Sequence, residues 1–137
     1  FDMPNTQENQ TLVSLLGAFC EAFNQHDPET IVSMITDDCE FRPAMGDYSF
    51  GASIKGKQAI KEAFENTFAM FPDAKWVPRN NNEVFGERGF SEWTFITTRK
   101  SDGAYFEVDG VDLFFFKDGK ICLKDTYRKQ REPKLPK

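Results

Sequence analysis

At Pro72 the spacing of apolar residues changes from three and four to two, and that switch constrains the fold more than any other feature of the chain. Upstream, Leu12, Leu15, Leu16, Phe19 and Phe23 fall on one face of a helix expected over residues 11–23. Asp27-Pro28 then reads as an N-cap carboxylate followed by a proline whose missing N–H costs nothing at the first helical position, starting a second helix that runs to about Ile35. Ile60, Ala63, Phe64, Thr67, Phe68 and Phe71 keep helical spacing until Pro72 ends the third helix. Downstream, alternation rich in Val, Phe, Thr and Trp predicts a pair of strands around Trp76 and Val84, then three long strands over 89–100, 104–116 and 120–129. An early strand is expected at Cys39–Arg42. Helices first and sheet afterwards make an α+β fold.

Length fits one domain over 1–137, with tails at about 1–8 and 130–137 expected to fray. Met3 reads as a native start preceded by two extra residues. Seventeen Lys+Arg against 22 Asp+Glu leave a net charge of −5, which gives no electrostatic support for binding nucleic acid or an anionic membrane. No run of residues approaches the length of an apolar membrane span. Three cysteines, Cys20, Cys39 and Cys122, are odd in number and sit inside regular elements, which points to a reducing, cytoplasmic setting. Fifteen Phe are a heavy aromatic load for this length, so some surface must be lined with rings.

The turns Asp102-Gly103 and Asp118-Gly119 allow the register to be worked out. With two-residue loops at both, Trp93 lies opposite Asp112 and Asp112 opposite Asp125; one face then carries Trp93, Phe95, Gly110, Asp112, Phe114, Phe116, Ile121, Leu123, Asp125 and Tyr127. A three-residue loop at Lys117-Asp118-Gly119 instead brings Lys124 opposite Asp112. The first register predicts a carboxylate pair with one raised pKa, the second an ion pair. The other face carries Ile96, Val111, Leu113 and Phe115, so the sheet is apolar on both sides. Three helices cannot cover both, and a homodimer through the outer face is expected.

Phe23-Asn24-Gln25-His26-Asp27, Ile35-Thr36-Asp37-Asp38-Cys39-Glu40-Phe41, Gly56-Lys57-Gln58-Ala59-Ile60 and Val111-Asp112-Leu113-Phe114-Phe115-Phe116-Lys117-Asp118-Gly119-Lys120-Ile121, in this order, resemble the SnoaL-like, ketosteroid isomerase-like branch of the nuclear transport factor 2-like superfamily over residues 10 to 129. The resemblance implies a cone in which three N-terminal helices close a strongly curved antiparallel sheet around a pocket, usually in a dimer. It places Asp112 where such enzymes carry an acid/base or hydrogen-bond-donating aspartate. It also shows departures: Phe19 stands at the tyrosine donor of the isomerases, and the position of their general base falls at Arg42 or Pro43, so steroid isomerisation is not expected.

The expected site therefore has Asp112 as the catalytic group, with Phe19, Phe23, Trp93, Phe95, Phe114, Asp125 and Tyr127 around a partly apolar, carbonyl-bearing organic ligand. Isomerase, cyclase or dehydratase chemistry is one reading; a non-catalytic binding or accessory subunit is the other. No cofactor is expected, and His26 alone makes no metal site. Arg99, at a strand end, is a candidate partner for an anionic ligand group or an ordinary surface ion pair.

Overall fold

A computed structural model describes residues 6–137. Helices α1 (Thr6–Asn24), α2 (Pro28–Ser33) and α3 (Lys57–Met70) and strands β1 (Ile35–Arg42), β2 (Ile54–Lys55), β3 (Lys75–Pro78), β4 (Glu83–Phe85), β5 (Arg88–Thr98), β6 (Tyr105–Lys117) and β7 (Lys120–Arg128) follow in chain order α1-α2-β1-β2-α3-β3 to β7. Asp27 caps α2 as expected, accepting from the Thr30 N–H at 3.2 Å with Pro28 behind it. The sheet order is β2-β1-β7-β6-β5-β3, with β4 on the edge of β5. Every pairing is antiparallel except β1 with β7. That parallel contact carries the chain across from α2 to the far side of the long strands, so the helices lie over one concave face.

The core forms where the helical stripe meets that face. Leu16, Phe19, Ile31, Ile35, Ile60, Phe64, Phe114 and Ile121 are all buried. Phe19 meets Phe114 edge-on at 5.7 Å and Phe23 meets Phe64 at 4.8 Å, the arrangement that the ring quadrupole favours. Each such ring contributes about 1.5–3 kcal/mol through burial. A smaller cluster of Ala74, Trp93, Phe95 and Val108 fills the other end. Asn24 clamps the two layers together, its side chain accepting from the Trp76 N–H at 2.8 Å and donating to the Trp76 carbonyl at 3.0 Å.

Several sequence expectations need correction. Helix α1 begins at Thr6 rather than near residue 11, so of the expected N-terminal fray only residues 1–5, with the Met3 start, lie outside the described residues. The C-terminal tail is not loose: Lys134 and Tyr105 exchange backbone hydrogen bonds of 3.0 and 2.8 Å, and Arg131 donates to the Glu107 carbonyl at 3.0 Å. The second hairpin has the predicted two-residue turn, with Asp118 and Gly119 both at positive φ (53° and 74°). The first does not. Arg99 and Ala104 close a four-residue loop there, because Asp102 uses its carboxylate on Arg99 at 2.7 Å and on the Ala104 N–H at 3.0 Å, leaving Gly103 alone at positive φ (71°). The same ion pair is where Arg99 ends up.

Candidate functional site

The longer first loop moves the β5–β6 register by two residues, which changes opposite partners but not faces. Asp112 faces Ser91, and Trp93 faces Gly110. Trp93 and Asp112 still share the concave face, and the indole Nε1–H donates to Asp112 Oδ2 at 3.0 Å. Gly110 is what makes this possible: a Cβ there would lie 2.3 Å from Trp93 Cη2, so only glycine lets the indole lie flat against the strand.

In β7 the shift is by one residue, and it changes everything after it. Phe116 pairs with Ile121, but Phe115 pairs with Leu123, which leaves Cys122 as a bulge. Beyond it Thr126 lies opposite Asp112, and Lys124, Thr126 and Arg128 take the concave face. Neither register expected from the turns is the one found: the loop has two residues, yet the neighbour of Asp112 is Lys124. Asp125 and Tyr127 consequently leave the face they were assigned to. Tyr127 is 55% exposed and Asp125 is half-buried, next to the Arg42 guanidinium and bonded weakly by Tyr127 Oη at 3.4 Å. Of the rings expected beside Asp112, Trp93 bonds it directly, Phe23 lies under the ammonium of Lys124, Phe19 packs on Phe114, and Phe95 belongs to the smaller cluster with Trp93.

Asp112 (6% exposed) and Lys124 (7%) form a buried ion pair at 3.0 Å. Thr126 completes a triangle, accepting from Lys124 Nζ at 2.8 Å and donating to Asp112 Oδ1 at 2.5 Å. The ammonium also lies over the rings of Phe41 (4.7 Å), Phe23 (5.1 Å) and Phe64 (5.8 Å), which help to replace its lost water. With three donors aimed at it, Asp112 acts here as an acceptor; the geometry is not that of a carboxyl donating to a ligand oxygen.

Two adjoining clefts open beyond this network, where the first half of β6 lies beside the end of β7. One of about 430 Å³ is lined by Pro43, Phe50, Arg79, Glu92, Asp109, Asp125, Thr126 and Arg128 among others. The second, about 210 Å³, runs past Ala44, Phe106, Val108 and Arg128. Asp112 lines neither, but Thr126, which is bonded to it, lines the first. Arg128 separates the two and stacks over Phe95 at 5.2 Å. Among the described residues it meets no carboxylate, and burial pushes its pKa down. Asp109 is held by Thr94 at 2.7 Å with Arg79 3.8 Å away, and Glu92 accepts from Asn80 at 3.1 Å. Burial pushes the Asp125 pKa up, more than Arg42 and Tyr127 bring it down. Sequence reasoning missed Arg128 and Thr126 because their face follows from the bulge, and missed Ser91 because only the longer loop makes it the partner of Asp112; no local motif signals either.

His26 adopts a left-handed conformation (φ 54°), stacks on Phe68 at 4.4 Å and bonds the Ala74 carbonyl through Nε2 at 2.8 Å, a packing role. All three cysteines are free. No group of metal-ligand side chains and no helix long and apolar enough to cross a membrane occurs among the described residues.

Comparison with known proteins follows the geometry. No curated protein matches the chain. Solved structures that resemble it include an NTF2-like protein of unknown function from Mesorhizobium loti (24% identity, 93% of this chain and 97% of that one, TM-score 0.75). A SnoaL-like polyketide cyclase, so described, from Jannaschia is similar at 12% identity, with 93% and 92% covered and a TM-score of 0.79. TerC, co-crystallised with polyporic acid, is similar at 23% identity, with 87% and 92% covered and a TM-score of 0.73. The SnoaL-like domain model matches residues 16–123, which take in α1 from the core residue Leu16 through to the bulge in β7, and the chain belongs to that family, with the NTF2-like cone as its fold.

Proposed function

We propose that this domain is a small-molecule pocket protein whose ligand is partly apolar and carries a carbonyl or carboxylate, seated between the first half of β6 and the end of β7 against Arg128. The observation that carries the reading is that guanidinium: half-buried over Phe95, lining two clefts and, among the described residues, without an acid to pair with. A desolvated cation lacking a partner is costly, and an oxygen-rich ligand group relieves the cost with charge-assisted hydrogen bonds. Phe50, Pro43 and Val111 supply apolar wall, and Thr126 keeps an acceptor lone pair free beside them.

Turnover in this reading is proton transfer of the isomerase, cyclase or dehydratase kind, with Asp125 as the acid/base, since its raised pKa brings it nearer to neutrality than an ordinary aspartate. Asp112 then acts as a positioning group: through Lys124 it fixes Thr126 at the cleft. The rival reading, a binding or accessory subunit without catalysis, rests on Asp112 being fully engaged by three protein donors.

The test is a titration with 2-naphthoate followed by amide NMR. Saturable shifts at Thr126, Arg128 and Lys129 are expected, with affinity falling about ten-fold in Arg128→Met. Equal binding by the variant refutes the assignment. We further propose that the apolar outer face, with Phe90, Leu113, Phe115 and Leu123, seats a second copy of the chain. Sedimentation should give a dimer that Phe90→Glu converts to a monomer; a wild-type monomer at high concentration rejects this.

A further inference from the structure

The two clefts that meet at Arg128 differ in charge. Glu92, Asp109 and Asp125 all line the larger one, of about 430 Å³. The smaller one, of about 210 Å³, has no carboxylate in its lining among the described residues: Arg128, Lys129 and Arg131 share it with the neutral Gln130 and an apolar wall of Phe106 and Val108. None of these three cations forms an ion pair among the described residues. In a chain of net charge −5 that is a local reversal of sign.

The reversal exists because the C-terminal segment is tied to β6. The Lys129 N–H donates to the Asp109 carbonyl at 2.8 Å, Arg131 donates to the Glu107 carbonyl at 3.0 Å, and Lys134 closes the run by its exchange with Tyr105. A loose tail would leave its charges apart in water; the tethered one holds like charges together, and their repulsion favours an anion between them. A carboxylate cancels one of the three charges. A phosphate monoester carries about 1.5–2 negative charges and three strong acceptor oxygens, enough for both guanidinium forks and the ammonium. The acids of the larger cleft repel such a group, so charge also sets its orientation.

We propose that the ligand at Arg128 is a soluble phosphate monoester, with its phosphate in the smaller cleft against Arg128, Lys129 and Arg131 and its apolar, carbonyl-bearing body in the larger. The assignment rests on the function proposed above, in which Arg128 is a ligand contact, and narrows its ligand to a phosphorylated one. A free ester is favoured over a phospholipid because the net charge of −5 opposes approach to an anionic bilayer.

The experiment compares 2-naphthyl phosphate with 2-naphthoate, one aromatic body with two heads, by amide NMR on the full chain. The phosphate should shift Arg128, Lys129 and Arg131 saturably and bind at least about ten-fold tighter than the carboxylate, because two further cations meet its added charge. Arg131→Gln should lower the phosphate affinity about five-fold and bring the two probes closer together. Lys129→Gln, at an exposed side chain outside the core, should do the same by about three-fold and keeps the test open if the loss of Arg131 loosens the tail. Naphthoate bound at Arg128 with the phosphate no tighter overturns the phosphate assignment and leaves the carboxylate reading standing. An undiminished preference in both variants overturns it too, and shifts at Arg128 from neither probe sink both readings. Co-sedimentation with vesicles of phosphatidylcholine and phosphatidate, but not with phosphatidylcholine alone, overturns the soluble source.

Discussion

Replacing Lys124 by Met tests whether the buried ion pair organises the concave face. The substitution keeps the length and apolar stem of the side chain, so the packing against Phe23, Phe41 and Phe64 survives while the charge does not. What is lost is the 3.0 Å partner of Asp112 and the 2.8 Å donor to Thr126. Breaking one side of a buried pair costs about 3–5 kcal/mol, mainly because the remaining charge stays desolvated. Asp112 keeps Trp93 and Thr126 as donors, so the low end, about 3 kcal/mol, is the expected loss. For a domain of this size that lowers the melting temperature by roughly 10 °C. Urea unfolding followed by tryptophan fluorescence measures it directly. Adding Asp112→Leu to Lys124→Met should recover only part of the loss, because it removes the stranded carboxylate but leaves the buried Trp93 Nε1–H without its acceptor, at about 1–3 kcal/mol. If Lys124→Met alone lies within about 1 kcal/mol of wild type, the pair is not buried in the sense argued, and the reasoning fails.

Gly110→Ala should displace the Trp93 indole from the strand and break its bond to Asp112, costing about 1–3 kcal/mol and moving the emission maximum; an unchanged spectrum would count against the close approach. Asp125 has a folded pKa above its unfolded value, so the folded state holds the extra proton, and stability should fall as pH rises through the interval between the two. Asn in its place removes that slope, and an identical pH profile would disprove the assignment. Asp102 works in the opposite sense: the Arg99 guanidinium and the Ala104 N–H hold it at about 2, so its contribution is complete above 3.8 and is lost as pH falls through that interval. Asp102→Asn should flatten the acid limb of the unfolding curve. Burial pushes the Cys39 thiol up to about 12, and it should resist a thiol reagent at pH 8 until the protein unfolds; labelling at the rate of an exposed thiol is the contrary result.

Periodicity made the architecture readable in advance, and the places where reading stopped have physical causes. The stripe from Leu12 to Phe23, the Asp27-Pro28 cap and the alternation beyond Pro72 each act over a few residues, and each matches the element found. Strand β2, two residues long, had no period to show. The site depended on longer arithmetic. An error of two in the β5–β6 register cancelled, because side chains alternate with period two, and Trp93 kept its place beside Asp112. The error of one at Cys122 did not cancel. It exchanged Asp125 and Tyr127 for Lys124 and Thr126, and it turned an expected carboxylate pair into an ion pair. Nothing around Cys122 marks a bulge, because this one needs neither a glycine nor a positive φ; it is paid for by how well Ile121 and Lys124 both fit inward.

That single unpaired residue gives β7 two possible reading frames. Were Cys122 to pair with Phe115 instead of bulging, the strand would continue the frame set by the Asp118-Gly119 turn and turn over: Asp125 and Tyr127 inward, Lys124 and Thr126 to the surface. The concave face would then hold two acids and a phenol in place of an acid, a base and a hydroxyl, with no substitution anywhere. Within this fold, closing such a bulge while keeping its residue is thus a route to a different pocket chemistry from the same residues.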